Sequence, residues 1–214
     1  MSTRRRVAIL ISGRGSNMQA LIRAAGEEAY PAEIVGVIAD RPDAGGLPLA
    51  AAAGIPTIAV DRAGYSDRAA FESGIEAALA EFAPDLLCLA GFMRVLSRAF
   101  TLRWHGRALN IHPSLLPSFR GLDTHEQALA AGVRIHGCTV HFVSPELDAG
   151  PIIAQAAVPV LGDDTPASLA ARVLEAEHRL YPRALALVAC GAARLEGGTV
   201  RLAEGVSASL FPAG

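Results

Sequence analysis

The sequence predicts an α/β fold, a Rossmann-like and mostly parallel sheet with helices on both faces and a small C-terminal hairpin. Three observations predict it. Short apolar runs alternate with stretches of helical spacing from Arg6 to Ile111, glycine and proline mark the boundaries, and a glycine turn joins the first run to the first helical stretch. Strands buried on both faces read as continuous apolar runs, and a β-α-β-α rhythm assembles them into a parallel sheet.

The runs Arg6–Ile11, Ile34–Ala39, Thr57–Val60, Asp85–Ala90 and Ala108–Ile111 are short and rich in β-branched residues or leucine, as buried strands require. Between them, Ser16–Glu28, Gly45–Ala53 and Ser66–Phe82 repeat apolar residues at helical intervals. Gly54-Ile55-Pro56 and Ala83-Pro84-Asp85 end helices ahead of the next strand. After Ile111 the rhythm changes. Residues 112–121, with two prolines and a glycine, predict an ordered loop, and Gly137–Val143 and Ile152–Val160 predict strands with antiparallel pairing. Thr165–Cys190 predicts a long helix, with Asp163, Asp164 and Thr165 as candidate caps and Pro166 suited to its first turn. Arg194 to Arg201 predicts a terminal hairpin around Gly197-Gly198. No repeat or linker divides the chain, so one domain spanning 1–214 is expected.

Composition narrows the function. The chain is 51% hydrophobic and 19% charged with a formal net charge of −2, an ordinary globular profile without the basic excess of a nucleic-acid or anionic-membrane binder. Arg4-Arg5-Arg6 precedes an apolar stretch of only Val7 to Ile11, too short for a secretory signal, and no run reaches membrane-spanning length; a cytoplasmic location is expected. All 19 basic residues are arginine. That excludes a Schiff-base lysine, a lysine general base and the lysine of a P-loop. Cys88, Cys138 and Cys190 lack disulfide or zinc spacing, and each is expected to pack as a small buried hydrophobe.

Two segments carry chemistry. The first is the turn Ser12-Gly13-Arg14-Gly15-Ser16-Asn17, where free backbone N–H groups at a helix start make an anion site. Ser16 and Asn17 add side-chain donors; the plainer alternative is a turn capped by Ser16 that holds no ligand. A dinucleotide site competes, with Asp40 at the end of the second strand as a ribose-binding acid, but the third glycine of its fingerprint is replaced by Met18. A single phosphate is the favoured ligand.

The second segment is Asn110-Ile111-His112-Pro113-Ser114-Leu115-Leu116-Pro117 with the later Glu146-Leu147-Asp148-Ala149-Gly150-Pro151. Asn110 and His112 are two apart on a strand and face the same side. An acid at Asp148 would orient the imidazole. Amide, imidazole and carboxylate suit acyl transfer, and no covalent nucleophile accompanies them. His136 and His141 are read as packing or backbone-bonded residues, and Arg94 either meets an anionic or heteroaromatic ligand or is a surface arginine.

Together with Ala90-Gly91-Phe92-Met93-Arg94 and His141-Phe142-Val143, and in this order, these motifs resemble the phosphoribosylglycinamide formyltransferase family over residues 6 to 190. The resemblance implies transfer of the formyl group of 10-formyltetrahydrofolate to the amine of phosphoribosylglycinamide in purine biosynthesis, through a tetrahedral intermediate and without a metal. It assigns Asn110 to the oxyanion, His112 to that oxygen and to proton transfer, and Asp148 to orienting His112 and carrying a proton. It places Gly15, Ser16 and Asn17 on the ribotide phosphate and Glu177 on the ribotide. Arg68, Met93, Arg94, Val95, Leu96 and Asn110 meet the folate. Small-molecule substrates, no nucleic acid or membrane partner, and a monomer or homodimer are implied. Arg14 and Arg120 depart from the residues commonly found at those positions. Two alternatives compete: a formyltetrahydrofolate deformylase, which would carry a preceding regulatory domain, and a non-catalytic Rossmann-like nucleotide-binding module. A methionyl-tRNA formyltransferase would need a further C-terminal domain that the chain has no room for.

Overall fold

The structure, a computed structural model, describes residues 4–211. Strand β1 (Arg5–Ile11) sets the architecture, because its side chains divide between two cores. Val7, Ile9 and Ile11 pack on one face with Met18 and Leu21 of α1 (Ser16–Ala25), Ala50 of α2 (Gly46–Ala52) and Leu169, Val173 and Leu180 of α6 (Pro166–Ala189). Ala8 and Leu10 face Phe71, Ile75 and Leu79 of α3 (Arg68–Phe82) and Phe100 of α4 (Arg98–Arg103). This alternation is the strand period of two, and it covers both faces of the sheet.

The eight-stranded sheet has the order β3 (Thr57–Ala59), β2 (Ala32–Ala39), β1, β4 (Leu86–Leu89), β5 (Ala108–His112), β6 (Ile135–Phe142), β7 (Ile152–Pro159), β10 (Ser209–Leu210). The first five strands of the chain pair in parallel; β6 is antiparallel to β5 and β7, and β10 runs parallel to β7. Strands β8 (Ala193–Glu196) and β9 (Thr199–Leu202) form the separate hairpin expected around Gly197-Gly198. The order in which strands join the sheet reverses between parallel β1 and β4, so a crevice opens beyond their carboxyl ends, where open α/β sheets bind ligands.

Local signals explain the boundaries. Thr165 caps α6, accepting from the Ser168 N–H at 3.2 Å while the Ser168 hydroxyl bonds back to the Thr165 N–H at 2.9 Å. Fully buried Tyr181 sends its hydroxyl between the Leu89 and Leu109 carbonyls, at 3.0 and 3.1 Å, tying α6 to the ends of β4 and β5. Helix α1 ends at Ala25 before Gly26, short of the expected Glu28. Helices α4 and α5 (Thr124–Ala130) and strand β10, of six, seven and two residues, were not expected. Cys88 and Cys138 are buried as expected, but Cys190 is exposed, because it falls at the C-cap of α6 instead of on its packed face.

Candidate active site

The first turn is shaped by glycine. Gly15 has φ +76°, and a Cβ there would lie 2.9 Å from the Gly46 Cα, so only glycine lets the turn seat against α2. Gly15 also stands at the N-cap of α1 and no side chain caps the helix, so its first N–H groups are available to an anion. Ser16 therefore does not act as a cap. The turn borders a hollow of about 310 Å³ lined by Ser12, Gly13, Arg14, Gly15, Ser16, Asn17 and Met93 among others. Behind it, Asn17 Nδ2 donates to Glu177 Oε2 at 2.7 Å, while Asn17 Oδ1 is buried without a partner among the described residues. Burial raises the Glu177 carboxyl to about 7, against the opposing pull of the Asn17 bond. Glu177, distant in sequence, thus sits with the turn.

The second centre lies at the end of β5. Leu10 of β1 pairs with Leu89 of β4, which pairs with Asn110, so the strands that lead to the two centres stand two strand spacings apart, roughly 10 Å. Across the antiparallel pair Asn110 faces His141. His141 Nδ1 lies 2.9 Å from the Phe142 carbonyl, which can only accept, so Nδ1 carries the hydrogen. Burial lowers the His141 pKa and keeps the ring neutral, leaving Nε2 to accept from Asn110 Nδ2 at 3.2 Å. That bond fixes which end of the amide is nitrogen and leaves its second N–H for a ligand. His141 is a site residue the sequence reading missed: of the two alternatives, packing or a backbone bond, the structure shows the backbone bond, and adds a contact with Asn110 that neither contains.

Asp148 has φ +48°, a left-handed conformation that aspartate tolerates better than most residues. Gly150 follows because a Cβ there would lie 1.7 Å from the Phe142 carbonyl oxygen. The bend turns the Asp148 carboxylate inward, 3.4 Å from His112 Nδ1 and 3.9 Å from His141 Nε2, and Oδ2 accepts the Gly121 N–H at 3.0 Å. His112 Nε2 lies 2.9 Å from the Phe119 carbonyl, so the loop 113–121 holds the ring by one nitrogen while the other faces the acid. His112 is buried, but between polar groups.

A cavity of about 110 Å³ is lined by Asn110, His141 and Asp148 on one side and Phe92, Arg94, Val95 and Leu96 on the other. His112 stands behind Asp148 and is not part of that wall. Val95 is 61% exposed and Met93 68%, an unusual display of apolar surface beside a polar site. Arg68 lines a neighbouring hollow of about 370 Å³ with Glu72 and Ser97. Arg94 is neither free nor merely on the surface: its Nε lies 2.5 Å from Asp40 Oδ2. Asp40, weighed above as a ribose ligand, has its carboxylate engaged within the protein. A larger hollow of about 1310 Å³ at the opposite end of the sheet is lined by arginines, but Arg4, Arg6 and Arg194 there already bond backbone carbonyls.

Comparison with known proteins agrees with this geometry. The chain is 54% identical over 91% of its length to a trifunctional purine biosynthetic protein adenosine-3 of Bos taurus, and spans 19% of that protein. It is 44% identical over 86% of its length to a phosphoribosylglycinamide formyltransferase of Escherichia coli, covering 87% of it. A crystal structure of phosphoribosylglycinamide formyltransferase from Anaplasma phagocytophilum superposes with a TM-score of 0.90 at 49% identity, covering 96% of this chain and 97% of that one. The formyl transferase family model matches residues 5–185, nearly the whole of the sheet and its site, and the chain belongs to the formyl transferase family.

Proposed function

We propose that this protein transfers the formyl group of 10-formyltetrahydrofolate to the amine of 5′-phosphoribosylglycinamide in purine biosynthesis, as a single catalytic domain. The observation that carries this is the pairing of two centres on strands two spacings apart, an uncapped glycine turn suited to a phosphate and an amide–imidazole–carboxylate cluster suited to a carbonyl carbon. The Escherichia coli relative and the Anaplasma phagocytophilum structure described above carry the same activity in their names.

In this reaction the amine nitrogen attacks the formyl carbon, forming a C–N bond and a tetrahedral oxyanion. Collapse breaks the bond to the folate N10, and one proton passes from the attacking nitrogen to the leaving one. Asn110 supplies the amide N–H left free by His141 to the oxyanion, a role worth about 3–4 kcal/mol for one donor. Asp148, which lines the cavity and contacts His112, accepts the proton, and His112 behind it stabilises the developing charge and shares the proton. Gly15, Ser16 and Asn17 hold the ribotide phosphate, Glu177 its sugar, and the Met93–Leu96 segment with Arg68 receives the folate. Holding both substrates across one crevice supplies much of the remaining acceleration.

The test follows the formyl carbon. With donor labelled at that carbon, label should enter the ribotide, and omission of ribotide should nearly stop donor consumption. Rapid release of labelled formate without ribotide would assign the protein to hydrolysis instead.

A further inference from the structure

Three side chains that the proposed mechanism does not use converge on the segment after β4. The Ser12 hydroxyl accepts the Met93 N–H at 2.8 Å. Asp40, at the end of β2 and 1% exposed, grips the Arg94 guanidinium. Glu72, buried on α3, accepts the Ser97 N–H at 2.6 Å through Oε1 and the Ser97 hydroxyl through Oε2. Between these anchors the N–H groups of Arg94, Val95 and Leu96 have no hydrogen-bond partner among the described residues. A strip of backbone is thus held at both ends and left open in the middle, beside the cavity that Asn110 and Asp148 line.

A buried carboxylate is costly unless it is paired, and Asp40 Oδ1 has no hydrogen-bond partner among the described residues, so the Arg94 contact is its compensation. Arg94 in turn is about half exposed and would be free to swing without Asp40. Five unconstrained residues would have to be ordered when a ligand arrives; five pinned residues have been ordered by folding.

We propose that Asp40 and Glu72 are positioning residues for the formyl donor: two buried carboxylates that clamp opposite ends of Met93–Ser97 and hold its open backbone edge ready for a flat heteroaromatic ring. The inference rests on the functional reading above for the identity of that ring. Neither carboxylate touches substrate; each acts through the segment.

Equilibrium binding of 10-formyltetrahydrofolate and of the ribotide, each measured alone, tests it. Asp40→Ala should weaken the donor roughly tenfold, the order expected for losing a charged hydrogen bond, with ribotide affinity unchanged. Asp40→Asn keeps an acceptor for the Arg94 guanidinium and should recover most of the loss. Asp40→Ala added to Arg94→Ala should weaken the donor no further, because Asp40 acts through Arg94. Glu72→Gln, which keeps an acceptor for the Ser97 N–H, should bind the donor better than Glu72→Ala. Unchanged donor affinity in both alanine variants, a parallel loss of ribotide binding, or additive effects of Asp40→Ala and Arg94→Ala would overturn the proposal. Formyl transfer by the wild-type protein is measured separately, so failure of the functional reading and failure of the clamp give different results.

Discussion

Asn110 holds its orientation through a chain of single-option hydrogen bonds. The Phe142 carbonyl forces hydrogen onto His141 Nδ1, Nε2 must then accept, and the Asn110 amide nitrogen must point to it. Asn110→Ala should lower kcat by about 10²–10³-fold, the effect of removing one oxyanion donor, with ribotide KM little changed; steady-state kinetics check it. Glu177 makes a different demand. Its folded pKa of about 7 lies above the 4.5 of an unperturbed carboxyl, so between those values the folded chain binds a proton the unfolded chain has lost. Stability from this group is therefore fully present below about pH 4.5 and declines as pH rises toward 7, by roughly 3 kcal/mol in all. Urea unfolding of the ligand-free protein at pH 5 and pH 8 should show that decline in the wild type and lose it in Glu177→Gln. Asn110, His112 and Asp148 were legible as a set because residue type and the i, i+2 spacing expose them. His141 was not, since its meeting with Asn110 depends on the register of β6 against β5, which no local pattern states.

At the scale of the element, the turn before α1 and the cap of α6 each rest on one residue. Gly15→Ala puts a side chain at φ +76° and within 2.9 Å of the Gly46 backbone, so it should raise ribotide KM by at least about tenfold and lower the melting temperature, the strain alone being of order 1–3 kcal/mol. Inorganic phosphate should compete with ribotide in the wild type and lose potency in the variant. Thr165→Ala removes the α6 cap and should cost about 1 kcal/mol in urea unfolding, without altering kinetics. The five parallel strands and the long helices were readable because apolar runs and caps are local. Helices α4 and α5 were hidden because what holds them is tertiary packing, as Phe100 and Ala128 show. The clamp formed by Asp40, Glu72 and Ser12 was equally hidden: each is an ordinary strand-end, helix or turn residue until the sheet order brings β2, α3 and β1 around one segment.

The whole molecule explains why the two centres share one crevice. Strand order 3-2-1-4-5 reverses between β1 and β4, so the glycine turn after β1 and the segment after β4 flank one crevice, and β5 delivers Asn110 to its edge. Antiparallel β6 and β7 then bring His141 and the Asp148 bend across from it. The proposed catalysis depends on a carboxylate arriving there from a loop 36 residues beyond His112 in the chain. Steady-state kinetics of Asp148→Asn, with both substrates varied, address that dependence most directly. The isosteric change should cut kcat by more than about 10²-fold while ribotide KM stays within twofold of wild type. Turnover near the wild-type value would contradict the account, because no carboxylate would then be needed where the acid, the imidazoles and the amide converge.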